Sequence, residues 1–202
     1  RDVRFSSSLP AFSPNFMESP PAATIPAETV PTLPSFSQAE EPSLYYAATV
    51  EPDIDALLTR PLTWNLRENP PSVLIVHTHT TEGYAESPGW RTTEETGNMI
   101  AIGDTVADAL TAQGIGVIHD RELHDYPSYN GAYVRTRKSL EVYLRQYPGL
   151  RLILDLHRDA AGEGNRQMRT QATVAGEPSA QLMIVMGTNY DPYEENLSLG
   201  LK

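Results

Sequence analysis

From Pro70 onward, short apolar runs alternate with stretches of helical periodicity, and that alternation leaves few architectures open to the chain. Residues 73–76, Val-Leu-Ile-Val, form a continuous apolar run, the pattern of a strand buried on both faces. Residues 98–112 predict a helix with Met99, Ile102, Val106 and Leu110 as its apolar stripe, stopped by Gly114. A strand at 115–118 and a helix at about 131–147 come next, the helix carrying Tyr133, Leu140, Leu144 and Tyr147 on one face. Further strands are predicted at 152–156 and 182–186. A β-α-β-α-β order with short connections predicts an α/β fold, a mostly parallel sheet covered by helices.

Upstream the character changes. Twelve of the 17 prolines lie at or before Pro71. Proline at that density blocks helices and ladders, so residues 1–69 are expected to be a largely disordered linker or stalk, with a short helix at 51–58. Residues 70–202 are expected to be the folded domain.

All five histidines fall where strands end or in the loop just beyond. His77 and His79 follow the first strand, His119 the second with His124 in the loop after it, and His157 the third. In open parallel sheets, ligands sit beyond the carboxyl ends of the strands. Folding asks for no imidazoles or carboxylates there, whereas a zinc site does. There are no cysteines, so a metal must take nitrogen and oxygen ligands. A net charge of −11 without a basic cluster argues against nucleic acid as a partner. No apolar run reaches the ~20 residues of a membrane helix.

The stretches VLIVHTHTTEGY, HDYPSYNGAYVRTRK and DLHRDA, taken together and in this order, resemble the stage II sporulation protein P family. The resemblance implies a three-layer α/β/α zinc-amidase fold and a peptidoglycan amidase cutting between N-acetylmuramic acid and L-alanine. It also implies action in septal wall degradation during engulfment, some cross-link cleavage, and a partner lytic transglycosylase like stage II sporulation protein D. An extracytoplasmic location behind an N-terminal membrane anchor, absent from this sequence, goes with it. Such amidases carry a late catalytic glutamate that the stretch LMIVMG lacks, so the domain is expected to continue past Lys202, and the chain as given is expected to bind zinc but to be weakly active.

By the same resemblance the zinc ligands are His79, Glu94 and His157, three protein ligands leaving a place for water. Glu82 competes with Glu94 as ligand and is otherwise the carboxylate acting on the zinc water. Glu95 is one residue from the same role, and both acids also suit a helix start. Arg158 is a cation for the oxyanion or a stem-peptide carboxylate, or a partner of Asp155. Asp155 and Asp159 are expected to support the ligands from behind. His124, Asp125, Tyr129, Asn130 and Tyr133 are expected to wall a substrate cleft, His77 to be a hydrogen-bonded core histidine, and His119 with Asp120 to form a loop-stabilising pair.

Overall fold

A computed structural model of the chain describes residues 53–84, 90–158, 161–163, 166–168, 171–174, 176–187 and 193–200. Its centre is a parallel three-stranded sheet in the order β2-β1-β3, where β1 is Val73–Val76, β2 Val117–His119 and β3 Leu152–Asp155. β1 is fully buried because it is the middle strand with a helix over each face. Val73 and Ile75 point to α2 (Met99–Ala112), meeting Val106, Ala107 and Leu110. Leu74 and Val76 point the other way to α3 (Ala132–Gln146), meeting Leu140, Tyr143, Leu144 and Tyr147. Alternate side chains of one strand thus supply two separate cores, which makes three layers.

The helices begin where their chemistry demands. The buried Asn98 caps α2: its Oδ1 accepts the Ile100 N–H at 2.9 Å, and its Nδ2 donates to the Thr92 carbonyl at 3.2 Å. That cap satisfies an otherwise orphaned donor and ties the incoming loop to the helix. Gly131, at φ 80°, turns the chain into α3 with a backbone angle that other residues rarely adopt.

Two expectations need correcting. The buried residues of α2 are Met99, Ile100 and Gly103, whereas Ile102 is 37% exposed. Met99, Val106 and Leu110 of the predicted stripe do face the core, and Ile100 with Gly103, which hydropathy does not register, takes the place expected of Ile102. Residues 182–186 form no strand; Leu182 is 89% exposed and pairs with no neighbour among the described residues. Two hairpins occupy the preceding stretch, pairing β4 (Ala161–Glu163) with β5 (Arg166–Met168) and β6 (Gln171–Val174) with β7 (Glu177–Ala180).

The expected linker lies outside the described residues over 1–52. Residues 53–69 belong to the packed structure. The short helix appears as α1 (Ile54–Thr59), capped by Asp53, and it docks on α4 (Tyr193–Gly200). Ser198 Oγ donates to the Leu57 carbonyl at 2.8 Å, and Arg60 pairs with Glu194 at 3.0 Å. Leu66 packs against the α2-side core. No helix among the described residues is long and apolar enough to cross a membrane.

Candidate metal centre

β1 and β3 are parallel neighbours with Val76 opposite Asp155, so the segments that follow them leave the sheet side by side. One carries His77-Thr78-His79-Thr80-Thr81-Glu82, every residue of it buried. The other carries Leu156-His157-Arg158. The rings of His79 and His157 lie 5.3 Å apart. Glu82 Oε2 is 3.8 Å from His157 Nδ1 and accepts the Arg158 backbone N–H at 2.7 Å. Two imidazoles and a carboxylate therefore converge beyond the carboxyl edge of the sheet.

Asp155 orients His157. Its Oδ1 is 3.2 Å from His157 Nε2, and the carboxylate also accepts the Thr78 N–H at 2.8 Å and Thr78 Oγ1 at 2.6 Å. A carboxylate beside Nε2 places the ring proton there and leaves the Nδ1 lone pair toward Glu82. Partial burial opposes ionisation of Asp155, but the bonds from His157 and Thr78 prevail and hold its carboxyl below the usual range.

His79 is 5% exposed, and its Nδ1 is buried without a hydrogen-bond partner. Burial above all, then the proximity of His157, lowers its pKa to about 4. It is therefore neutral at neutral pH, with a lone pair available to a Lewis acid. Tyr129 tilts over this ring at 4.1 Å, while Tyr133 meets it edge-on at 5.4 Å and stacks on His157 at 6.4 Å. Burial, then the charge of Glu82, pushes the Tyr129 phenol up to about 12, so it remains an O–H donor.

The donor set fits zinc: neutral imidazoles, a carboxylate, and a buried nitrogen lone pair lacking a partner. Of the expected trio, His79 and His157 are brought together. Glu94 is exposed, preceding a single 3₁₀ turn (Glu95–Gly97), and Glu82 stands beside His157 instead. Glu95 is engaged with Arg121.

A second constellation is tighter. Asp120, Glu122 and His124 bring one ligand atom each within 4.8 Å of one another, the one such group of three among the described residues. It is a possible metal-binding triad, although its donors already serve each other. His124 Nε2 is 3.0 Å from Asp120 Oδ2, Asp120 Oδ1 accepts the Glu122 N–H at 3.0 Å, and Glu122 Oε2 accepts Ser139 Oγ at 3.1 Å. His124 Nδ1, like His79 Nδ1, is buried without a hydrogen-bond partner, so each constellation offers a metal an unpaired nitrogen.

The remaining predicted residues divide by burial. Tyr129 is half-buried and Tyr133 exposed beside the histidines, and Asn130 is exposed. His124 and Asp125 are 1% and 0% exposed, so they cannot wall a cleft directly. They brace it from below: Asp125 binds Thr81, and Arg135 takes the carbonyls of His124, Ser128 and Asn130. Asp155 engages Thr78 and His157, and Arg158 Nε is buried without an acceptor. His119 and Asp120 bond outward, to Asp104 and His124 respectively, rather than to each other. Asp159 lies outside the described residues. The sequence reading missed Trp90 and Arg91; the Arg91 guanidinium lies 5.4 Å from the Trp90 ring and 5.3 Å from that of Tyr129. Neither residue carries a sequence signal for such a place.

Residues 25–202 match the family model for Stage II sporulation protein P (SpoIIP). The chain belongs to that family. Membership gives it a sporulation-related role at the cell wall and is consistent with peptidoglycan hydrolysis in general. Comparisons with curated proteins and with solved structures gave no match.

The metal-free protein should lose stability in acid through the buried histidines. His77, lowered to about 4 chiefly by burial, and His79 both have folded pKa values under the ordinary imidazole value of about 6.5. The unfolded chain therefore binds more protons over that interval. Stability is complete above pH 6.5, declines as pH falls toward 4, and levels off below, a loss on the order of a few kcal/mol. Urea midpoints of chelator-treated protein from pH 7.5 to 4.5 check this; a flat profile would contradict the buried neutral imidazoles.

Proposed function

We propose that this chain is a zinc-dependent N-acetylmuramoyl-L-alanine amidase, with zinc held by His79, Glu82 and His157. The observation that carries the reading is the buried, partnerless Nδ1 of His79 beside His157 and Glu82. Glu82 replaces Glu94 as the carboxylate ligand because it is the acid next to His157. Bound there, zinc would act as a Lewis acid on the scissile carbonyl and bring the pKa of its water toward neutrality.

The chain's own groups do the rest. Asp155 keeps the His157 proton on Nε2. The Arg158 Nε–H, buried without an acceptor, is matched to an oxyanion or a stem-peptide carboxylate. Tyr129 offers a phenol that stays protonated, and exposed Tyr133 and Asn130 line the approach for the glycan and peptide. In the cell this activity would act on the sporulation septum during engulfment, extracytoplasmically and behind an N-terminal membrane anchor. A lytic transglycosylase like stage II sporulation protein D would cut the glycan of the same wall.

The decisive experiment digests purified peptidoglycan with zinc-loaded and chelated protein, followed by product analysis. Stem peptides with a new free N-terminal L-alanine, formed only with zinc, are expected. Cross-link cleavage alone would indicate a different zinc peptidase. Wall binding without product would indicate a scaffold.

A further inference from the structure

We propose that Trp90 is a sugar-stacking platform at the rim of the metal centre, placed to take a pyranose ring of the glycan strand while the stem peptide lies toward Arg158. The proposal rests on the reading of His79 and His157 as the reacting centre. It adds which part of the substrate falls on which side of that centre.

Four rings follow one another into the site. Between ring centroids, Trp90 lies 6.1 Å from Tyr129, Tyr129 lies 4.1 Å from His79, and His79 lies 5.3 Å from His157. Trp90, at 37% exposed, is the one of the four that faces solvent most openly. Backbone pairing sets it there. The Gly83 N–H donates to the Trp90 carbonyl at 2.8 Å, the Thr92 N–H donates to the Thr81 carbonyl at 2.8 Å, and Arg91 bridges to Glu82 between them. The segment that presents Trp90 is thus paired with the one that presents Glu82.

An exposed indole ordinarily swings among rotamers, and here Arg91 restrains it. Arg91 Nε donates to Thr81 Oγ1 at 2.8 Å, Nη2 donates to the Asp125 carbonyl, and the buried Asp125 carboxylate lies 3.4 Å away. Anchored in this way, the guanidinium sits 5.4 Å from the Trp90 centroid and 5.3 Å from that of Tyr129, within cation–π range of both. A ring already ordered loses less freedom when a ligand covers it.

The chemistry of this end suits a sugar. The face of an aromatic ring carries partial negative charge and attracts the C–H groups on one face of a pyranose. A carboxylate finds no spare cation here, because Arg91 is committed to Asp125 and Thr81. At the other end of the row Arg158 follows His157, and its Nε–H is buried without an acceptor, which suits the charge of a stem peptide. Sugar at Trp90 and peptide at Arg158 put the amide that joins them between the two, where His79 and His157 stand.

The test uses the full chain and a peptide-free tetrasaccharide of alternating N-acetylglucosamine and N-acetylmuramic acid. The chain has two tryptophans, so Trp64→Phe leaves Trp90 as its one indole. Its emission should shift to the blue as the saccharide is added. By calorimetry Trp90→Ala should weaken saccharide binding about 10-fold, the size of one aromatic contact, with free stem peptide bound within about twofold of the parent. Trp90→Phe keeps an aromatic face and should recover most of the affinity, with circular dichroism checking both folds. An unshifted emission, or saccharide affinity in Trp90→Ala equal to the parent's, overturns the proposal, as does equal loss in the alanine and phenylalanine variants. If saccharide binds at Trp90 but peptidoglycan yields no free N-terminal L-alanine, the amidase reading fails and the sugar platform stands.

Discussion

Replacing His79 or His157 with alanine is expected to lower bound zinc from about one per chain to background and to cut hydrolysis on the order of 10³-fold. Such a loss corresponds to ~4 kcal/mol of transition-state stabilisation. The size follows from what each residue supplies: His79 brings the buried lone pair, and His157 brings a ring already oriented by Asp155. Glu82→Gln should weaken zinc strongly, since the amide loses the charge while leaving the Arg158 N–H an acceptor. Glu94→Gln, on the exposed side of the loop, should leave zinc retention within about twofold of the parent. Asp120→Asn separates the two constellations. Zinc retained there but lost in His79→Ala supports the proposed site, and the opposite pattern would move the metal to Asp120, Glu122 and His124. Metal analysis after gel filtration, with circular dichroism as a fold control, reads all five variants.

Val73–Val76 illustrates what hydropathy can carry. Four apolar residues in succession leave no polar face, so the strand must be central and helices must cover both sides, as α2 and α3 do. From a parallel sheet it follows that residues after β1 and β3 meet at one edge, which brings His79 and His157 together. The carboxylate was harder to read. Both Glu82 and Glu94 lie within reach along the chain, and only the path of the loop separates them. Thr81 and Gly83 pair backbone groups with Thr92 and Trp90, turning Glu82 inward while Glu94 faces solvent. No local periodicity encodes that pairing. Gly103 was silent for another reason: its contribution is the absence of a side chain where two imidazoles need room. Residues 182–186 show the converse limit: the apolar run predicts a strand, yet among the described residues it joins no sheet.

Asp125→Ala should be the most destabilising single change in the site's foundation, at about 3 kcal/mol. The carboxylate is fully buried and accepts the Thr81 N–H at 3.0 Å and Thr81 Oγ1 at 2.7 Å, with the Arg91 guanidinium 3.4 Å away. Removing it leaves a buried amide and hydroxyl unsatisfied, each costing roughly 1–3 kcal/mol. Losing the partner of a fully buried charge costs about 3–5 kcal/mol. Arg91 is 22% exposed and keeps its bonds to Thr81 Oγ1 and the Asp125 carbonyl, so water and those acceptors offset much of that second penalty. Asp125→Asn retains an acceptor for the Thr81 N–H but forfeits the charge, and should cost about half as much. Because Thr81 directly precedes Glu82, loosening it also lets the proposed carboxylate ligand swing away. Zinc affinity should therefore fall in the same order as stability, alanine below asparagine below parent. Urea unfolding of chelated protein gives the first ranking and competition with a chromogenic chelator the second. An alanine variant as stable as the parent would mean that Asp125 is not the anchor of this loop, and a stability loss without any change in zinc affinity would detach Thr81 from the placement of Glu82.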